Sequence, residues 1–311
     1  RNVAAAMLAG MAISCLYYSY QPAQAEDRTQ APMTVPIRVS ELDPALRNMP
    51  TLTDGTALES SLVPMPVEEM PEQTLSADTV ALNRVIATLE DGISRLQKVP
   101  SYTFVFTRQE RIDGELRDEQ KMEVKLRHAP FSVYMKWLSG DKGRELLFAE
   151  NENEGRMLVK LGGLKGRFIP TLKLDPTGDR AMSETRHPIT CAGLVNLATE
   201  IIRNRKLDLE MEETPSCIIE ENIMFADRPC IQVTIQHSDP KTSPLYRKAI
   251  TVIDRELSLP VYVRNYTWPT DTMVDIETES LISCYSFEQI QTESRLAEAV
   301  WAGDNPDYRF R

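Results

Sequence analysis

The run from Pro100 to Leu138 constrains the fold more than any other part of the chain. Ser101 to Arg108, Lys121 to Arg127 and Phe131 to Trp137 each alternate from residue to residue. A period of two is that of a strand with two unlike faces. Tyr102, Phe104 and Phe106 share one face of the first stretch. Met122, Val124 and Leu126 share one of the second, and Phe131, Val133, Met135 and Trp137 one of the third. Polar turns and a break at Pro130 separate them, so the three make an antiparallel meander. Nothing in this run has the pattern of a nucleophile, a metal-ligand set or a phosphate loop.

A helix is predicted before the meander, from about Ser76 to Lys98. Ser76 suits an N-cap, Asp78 suits the first turn, and Pro100 ends the helix. Leu82, Val85, Ile86, Leu89, Ile93 and Leu96 give it one apolar stripe, which needs a surface to cover. Short strands follow over 144–149, 156–160 and 167–174, and Asp175-Pro-Thr-Gly178 closes this half with a turn. A second helix runs to about Lys206, burying Leu194, Leu197, Ala198, Ile201 and Ile202. Strands resume with a hairpin, 217–225 and 230–237, and continue over 246–254, 260–268 and 274–287. The end, 297–311, reads as a short turn and tail carrying Trp301, Tyr308 and Phe310. Helix, strands, helix, strands is the signature of an α+β fold, a curved antiparallel sheet with helices on one face.

The first residues read as an export signal. Arg1 precedes an apolar run from Val3 to Leu16, and Ala23-Gln-Ala25 fits a signal-peptidase site, giving a signal over 1–25. Ala12-Ile-Ser before Cys15 also resembles a lipobox, and an uncleaved anchor is the third alternative. The run is shorter than the roughly 20 apolar residues of a membrane span. Residues 26–75 form a proline-rich linker with no sustained period, expected to stay unstructured. Residues 76–311 form the folded domain. Export places the protein in the periplasm or cell envelope, where the N-terminus is its route to a membrane.

The net charge of −11 argues against nucleic acid, whose binding depends on neutralising phosphates. After export, Cys191, Cys217, Cys230 and Cys284 remain, and four cysteines allow three pairings. A hairpin turn at Ala226-Asp-Arg228 sets Cys217 opposite the region of His237 and Cys230 opposite that of Ile223, so those two do not bridge. His128, His187 and His237 are not spaced for a metal, and no cofactor is expected. Cys191, with His187 as base, is the one arrangement to weigh for nucleophilic catalysis. Pro188 at a first helical position would set Cys191 in the first turn. No third orienting group or oxyanion motif accompanies them, so a role for His187 and Thr190 in shaping the start of the helix is preferred.

The export signal, the leading helix, Tyr102-Thr-Phe-Val-Phe-Thr-Arg-Gln-Glu110, Lys125-Leu-Arg-His-Ala-Pro-Phe131 and Met135-Lys-Trp137 resemble the outer-membrane lipoprotein carrier superfamily. Thr251-Val-Ile-Asp254, Leu259-Pro260, Tyr266-Thr-Trp-Pro269 and Tyr285-Ser-Phe287 extend the resemblance into the second half. More narrowly, residues 77–311 resemble an uncharacterised family of secreted bacterial envelope proteins, through Arg186-His-Pro-Ile-Thr190, Ala192-Gly193 and the ending Asn305-Pro-x-Tyr-x-Phe310. The superfamily implies a half-open β-barrel whose concave side is covered by helices and holds acyl chains or lipids, or a module that senses mislocalised envelope proteins. On that resemblance Tyr102, Phe104, Phe106, Phe131, Trp137 and Trp268 are the groove-lining candidates. Arg127 is the candidate for the carriers' lid latch, although His128 and Ala129 separate it from Pro130 where the carriers place Pro directly after the Arg. Arg186 and His187 are the further lid candidates. The expectation is a non-catalytic, monomeric envelope protein binding a lipid, an acyl chain or a lipoprotein in an apolar groove. The alternative is a sensor that binds other envelope proteins through its surface.

Overall fold

In the computed structural model of the chain, the described residues are 75–293 and 295–310. The expected signal over 1–25, the lipobox cysteine Cys15 and the linker up to residue 74 lie outside them.

The sheet is twelve-stranded, antiparallel, curved and unclosed. Its first half comprises β1 (Ser101–Ile112), β2 (Glu115–Leu116), β3 (Gln120–Arg127), β4 (Ser132–Trp137), β5 (Glu145–Ala149), β6 (Met157–Lys160) and β7 (Leu172–Leu174). Its second half comprises β8 (Ser216–Phe225), β9 (Arg228–Gln236), β10 (Lys248–Asp254), β11 (Leu259–Tyr266) and β12 (Leu281–Gln291). Spatial order is β7-β6-β5-β4-β3-β1-β12-β11-β10-β9-β8, with β2 paired to β1 alone. The two meanders therefore join where β1 meets β12. The register bears out the alternation read from the sequence. Tyr102, Phe104 and Phe106 stand opposite Leu126, Val124 and Met122, which stand opposite Val133, Met135 and Trp137.

Two helices cover the concave face: α1 (Ala77–Leu96) and α2 (Leu194–Leu209). The Ser76 hydroxyl accepts the Thr79 N–H at 3.0 Å and caps α1. Leu82, Val85, Ile86, Leu89 and Leu96 of α1, with Leu194, Ala198, Ile201 and Ile202 of α2, join the concave strand residues in one buried cluster. Gly92 lets α1 touch the β10–β11 turn. A Cβ there would lie 2.2 Å from the Ser258 carbonyl oxygen.

Three expectations shift. The second helix begins at Leu194, because Gly193 takes φ 101° and breaks the chain there. Cys191 therefore sits in a separate 3-10 turn, Ile189–Cys191, and not in a first helical turn. Residues 165–168 form a helical turn, leaving only Leu172–Leu174 as a strand of the expected 167–174. The last long strand starts at Leu281 and not at Val274. Asp275 caps a turn over Ile276–Glu279 by accepting the Thr278 N–H, and the Glu279 carboxylate accepts the N–H groups of Val274 and Asp275. Local polar closure there outcompetes the ladder.

The outer face is also partly covered. Tyr308 stacks on Tyr134 at 4.0 Å, and Phe310, Leu147 and Leu158 complete a small second cluster. The Lys125 ammonium lies 5.3 Å from the Tyr134 ring centre. No disulfide links Cys191, Cys217, Cys230 and Cys284. Cys230 pairs with Ile223 as the turn position required, and Cys217 with Ile235.

Candidate functional site

The concave face of β1 and its neighbours carries a run of aromatic rings. Tyr102 stacks on Phe104 at 5.4 Å, Phe104 meets Phe287 at 5.3 Å, and Phe106 lies 4.9 Å from Phe287 and 5.9 Å from Tyr285. The run continues across the β1–β12 junction because Phe106 is in register with Phe287 and Arg108 with Tyr285. Tyr102, Phe104 and Trp137 are buried, while Phe106 and Phe131 are partly buried and packed against the same cluster. Phe131 reaches Phe148 at 6.2 Å, on the β4–β5 side of the face. Trp268 is not part of this surface. It follows β11, and its indole N–H donates to the Ser243 carbonyl at 2.7 Å.

The helices and the segment leading into α2 are tied to the sheet at a few polar points. The Leu194 N–H, one of the orphan donors at the start of α2, donates to the Tyr102 hydroxyl at 3.0 Å. Burial holds that phenol above its usual range. Arg95 of α1 donates to the Glu256 carbonyl at 2.6 Å and to the Ser258 hydroxyl at 2.5 Å. Asp78 accepts the Cys217 N–H at 2.7 Å. At the end of α2, the buried Arg205 and Asp208 pair at 2.7 Å, and His237 Nε2 lies 3.6 Å from Asp208.

A polar cluster at the far end of β1 fastens the segment before α2. Glu110, buried, accepts the Tyr285 O–H at 2.6 Å and the Arg186 N–H at 3.3 Å, and Arg108 lies 3.6 Å away. Burial and the Glu110 carboxylate raise the Tyr285 phenol well above its usual range. Arg108 also donates to Gln120 and to the Thr185 hydroxyl, and Arg186 to the Arg111 carbonyl at 3.3 Å. His187 is exposed, its ring edge-on to Tyr285 at 6.5 Å. Of the lid candidates, Arg186 and His187 thus belong to this strap.

Arg127 points the other way, as strand alternation requires of a residue sharing a face with Lys125. It donates to the Pro130 carbonyl, the Ser132 hydroxyl and the Glu298 carboxylate, with Trp301 5.0 Å from its guanidinium. It clasps the C-terminal segment to the outer face. Glu110, Arg108 and Tyr285 are not among the site residues expected from the sequence. Their signal was present: two steps past Phe106 the inward face of β1 turns from aromatic to charged, and a carboxylate there needs partners.

Two clefts open on the described residues at sites that none of the six aromatic candidates lines. One, of about 1000 Å³, lies between Arg127, the 150–153 turn, Lys173 and the segment 298–304. The other, of about 210 Å³, lies between α1 and the β10–β11 turn. In this conformation the helices fill the space over the rings. Among the described residues no group of three or more His, Cys, Asp or Glu could hold a metal ion, and no helix is long and apolar enough to cross a membrane.

Residues 99–310 match the model of one protein family, described as protein of unknown function (DUF1571). No curated protein matches the chain. The solved structures it resembles include the lipoprotein LppX of Mycobacterium tuberculosis, 10% identical over 70% of this chain and 99% of that one, with a TM-score of 0.40. A DUF1329 family protein of Desulfovibrio piger is 7% identical over 71% and 97%, with a TM-score of 0.35. A putative outer membrane lipoprotein-sorting protein domain of Vibrio parahaemolyticus is 11% identical over 71% and 97%, with a TM-score of 0.32.

Proposed function

From the premise that the chain belongs to the DUF1571 family of unknown function, we propose that it is a non-catalytic, exported envelope protein that binds an acyl chain, as free lipid or on a lipoprotein. The site is the aromatic concave face, reached when α1 and α2 lift. One observation carries the reading: a continuous apolar surface from Phe148 through Phe104 to Phe287 is roofed by two helices and not by further strands. Helices pinned at a few polar points can leave a sheet without breaking its ladder. An acyl chain that replaced their apolar stripes would regain about 0.8 kcal/mol per buried methylene. Residues 1–25 would export the chain, with lipidation at Cys15 or retention of the apolar run as the other fates, and residues 26–75 would space the domain, as a monomer, from the membrane. The test is organic extraction of the purified full chain with mass spectrometry of the extract, plus titration with a fluorescent fatty acid. Co-purifying lipid and saturable binding are expected. An empty extract with no saturable signal would end this reading.

A second reading has its own observation: the helices already fill the space over the rings. Under it the protein is an interaction module and binds another envelope protein through its surface with the interior closed. A partner whose binding is unchanged by replacing Phe106 with Ala, in a protein that takes no fatty acid, would favour it.

A further inference from the structure

The connection between β6 and β7, residues 161–171, is hydrogen-bonded to its surroundings and exposes two of its apolar side chains. The Gly163 N–H donates to the Lys142 carbonyl at 3.2 Å, the Gly166 N–H to the Gly162 carbonyl at 3.1 Å, and the buried Lys160 ammonium to the Ile169 carbonyl at 2.9 Å. Gly162 sits so close to the neighbouring turn that a Cβ would come within 2.6 Å of the Lys142 carbonyl oxygen. The loop is therefore held in a fixed shape. On it, Leu164 is 73% and Phe168 87% exposed, four residues apart around the helical turn Lys165–Phe168. That spacing sets them on one side of the turn. A single exposed apolar residue is ordinary; a braced loop holding two of them outward is the arrangement of a contact surface.

Charge identifies the partner. From Gly155 to Leu174 the sequence holds Arg156, Lys160, Lys165, Arg167 and Lys173 and no Asp or Glu, in a chain whose net charge is −11. Lys165 and Arg167 fall between Leu164 and Phe168 in the sequence, and Arg167 is exposed, while the Asp141 carboxylate stands on the Gly162 side of the loop. We propose that the 161–171 loop is a membrane-contacting element: Leu164 and Phe168 enter the headgroup–acyl boundary of an anionic bilayer while Lys165 and Arg167, between them in the sequence, meet its phosphates. Two apolar tips with two cations between them suit that interface, where cations are drawn to anionic lipid and rings to the boundary. The antiparallel order brings the connections after β4, β6 and β11 to the same end of the sheet. The one after β11 also exposes Val274 and Ile276, but among Asp271, Asp275, Glu277 and Glu279, so the anionic contact belongs to 161–171. This assignment does not depend on what the concave face binds.

The test uses the full chain with Phe168→Trp, its emission read as the difference from the parent chain, which carries Trp137, Trp268 and Trp301, so that the signal reports on the loop. Emission is followed with phosphatidylglycerol–phosphatidylcholine vesicles, with phosphatidylcholine vesicles alone, and with brominated acyl chains as quenchers. The expected result is a blue shift and bromine quenching on anionic vesicles. Lys165→Glu with Arg167→Glu, in the same background, weakens it at least about tenfold, while the thermal unfolding curve stays unchanged. No shift on anionic vesicles overturns the proposal. So does an equal shift on both vesicle types that survives charge reversal. A shift that grows with protein concentration without vesicles also overturns it, and assigns the loop to a second copy of the chain.

Discussion

At the scale of single residues, Tyr102 and Gly193 decide how α2 meets the sheet. The Tyr102 hydroxyl is buried inside the roof and accepts a helix-start N–H. Tyr102→Phe keeps the ring and leaves the Leu194 N–H without a partner. The expected loss is about 1–3 kcal/mol, read as a lower midpoint in urea unfolding with an unchanged slope. Gly193 has φ 101°, and a Cβ there would come 2.5 Å from Leu126 Cδ1 and 2.7 Å from the Tyr102 hydroxyl. Gly193→Ala should cost roughly 1–3 kcal/mol through strain and crowding together. A midpoint unmoved by either substitution would mean that α2 does not start on Tyr102. The alternation around Tyr102 was legible in the sequence and gave its face and its burial. Its hydrogen bond was not legible, because a partner 92 residues away leaves no local pattern. Trp268 shows the same limit: an aromatic at the end of a strand pattern looks like a lining residue until the chain turns away.

At the scale of elements, α1 was readable almost to its ends, since a cap, a 3.6-residue stripe and a terminating proline all agreed. The strand expected from Val274 failed because two carboxylates close a turn on nearby N–H groups, a competition that alternation alone does not reveal. The end of α2 carries a pH dependence. Burial lowers the imidazole of His237 below its ordinary value of 6.5, despite Asp208 beside it. The unfolded chain therefore binds the proton more readily than the folded one. Stability from this group is complete above about pH 6.5 and is lost as pH falls from there toward the depressed folded value. His128 is lowered in the same direction by burial. Asp208, raised by burial, acts with the opposite sign, so the His237 contribution is read as the difference between the parent and His237→Gln in a window from about pH 7.5 to 6. The unfolding midpoint should fall across that window, and His237→Gln should flatten the fall. No difference in slope between the two proteins there would remove His237 from the anchor of α2.

At the scale of the whole molecule, the protein is a sheet that is costly to open under helices that are not. The sheet is held by continuous ladders, with β1 paired to β3 along its first eight residues and to β12 from Thr103 to Glu110. The pairing of β1 with β12, residues about 180 apart in sequence, joins the two meanders; each was legible by itself, and their junction was not. The helices depend on side-chain burial and on a handful of polar ties: Arg95 to Ser258, Asp78 to Cys217, Leu194 to Tyr102, and Asp208 to His237. Such an arrangement opens in parts, because units held by fewer interactions come away at lower free energy than the whole. Amide hydrogen exchange of the full chain at neutral pH should then show three classes. The central strands β1, β3 and β12 exchange only through global unfolding. The amides of α1 and α2 exchange earlier and together, since the two helices share one apolar contact with the sheet and are joined by the Lys206–Glu90 pair at 3.0 Å. The 185–193 strap, tied by Glu110 and Arg108, opens with α2 and not with the sheet, because its polar ties lie at the end of β1 and take no part in the ladder. Tyr102→Phe should speed the α2 and strap amides while leaving β3 unchanged. A fatty acid that occupies the concave face in place of the helices should speed the same amides, whereas one that binds elsewhere leaves them alone. If helices and central strands exchange at one common rate, the helices have no separate opening and the concave face has no route for a ligand.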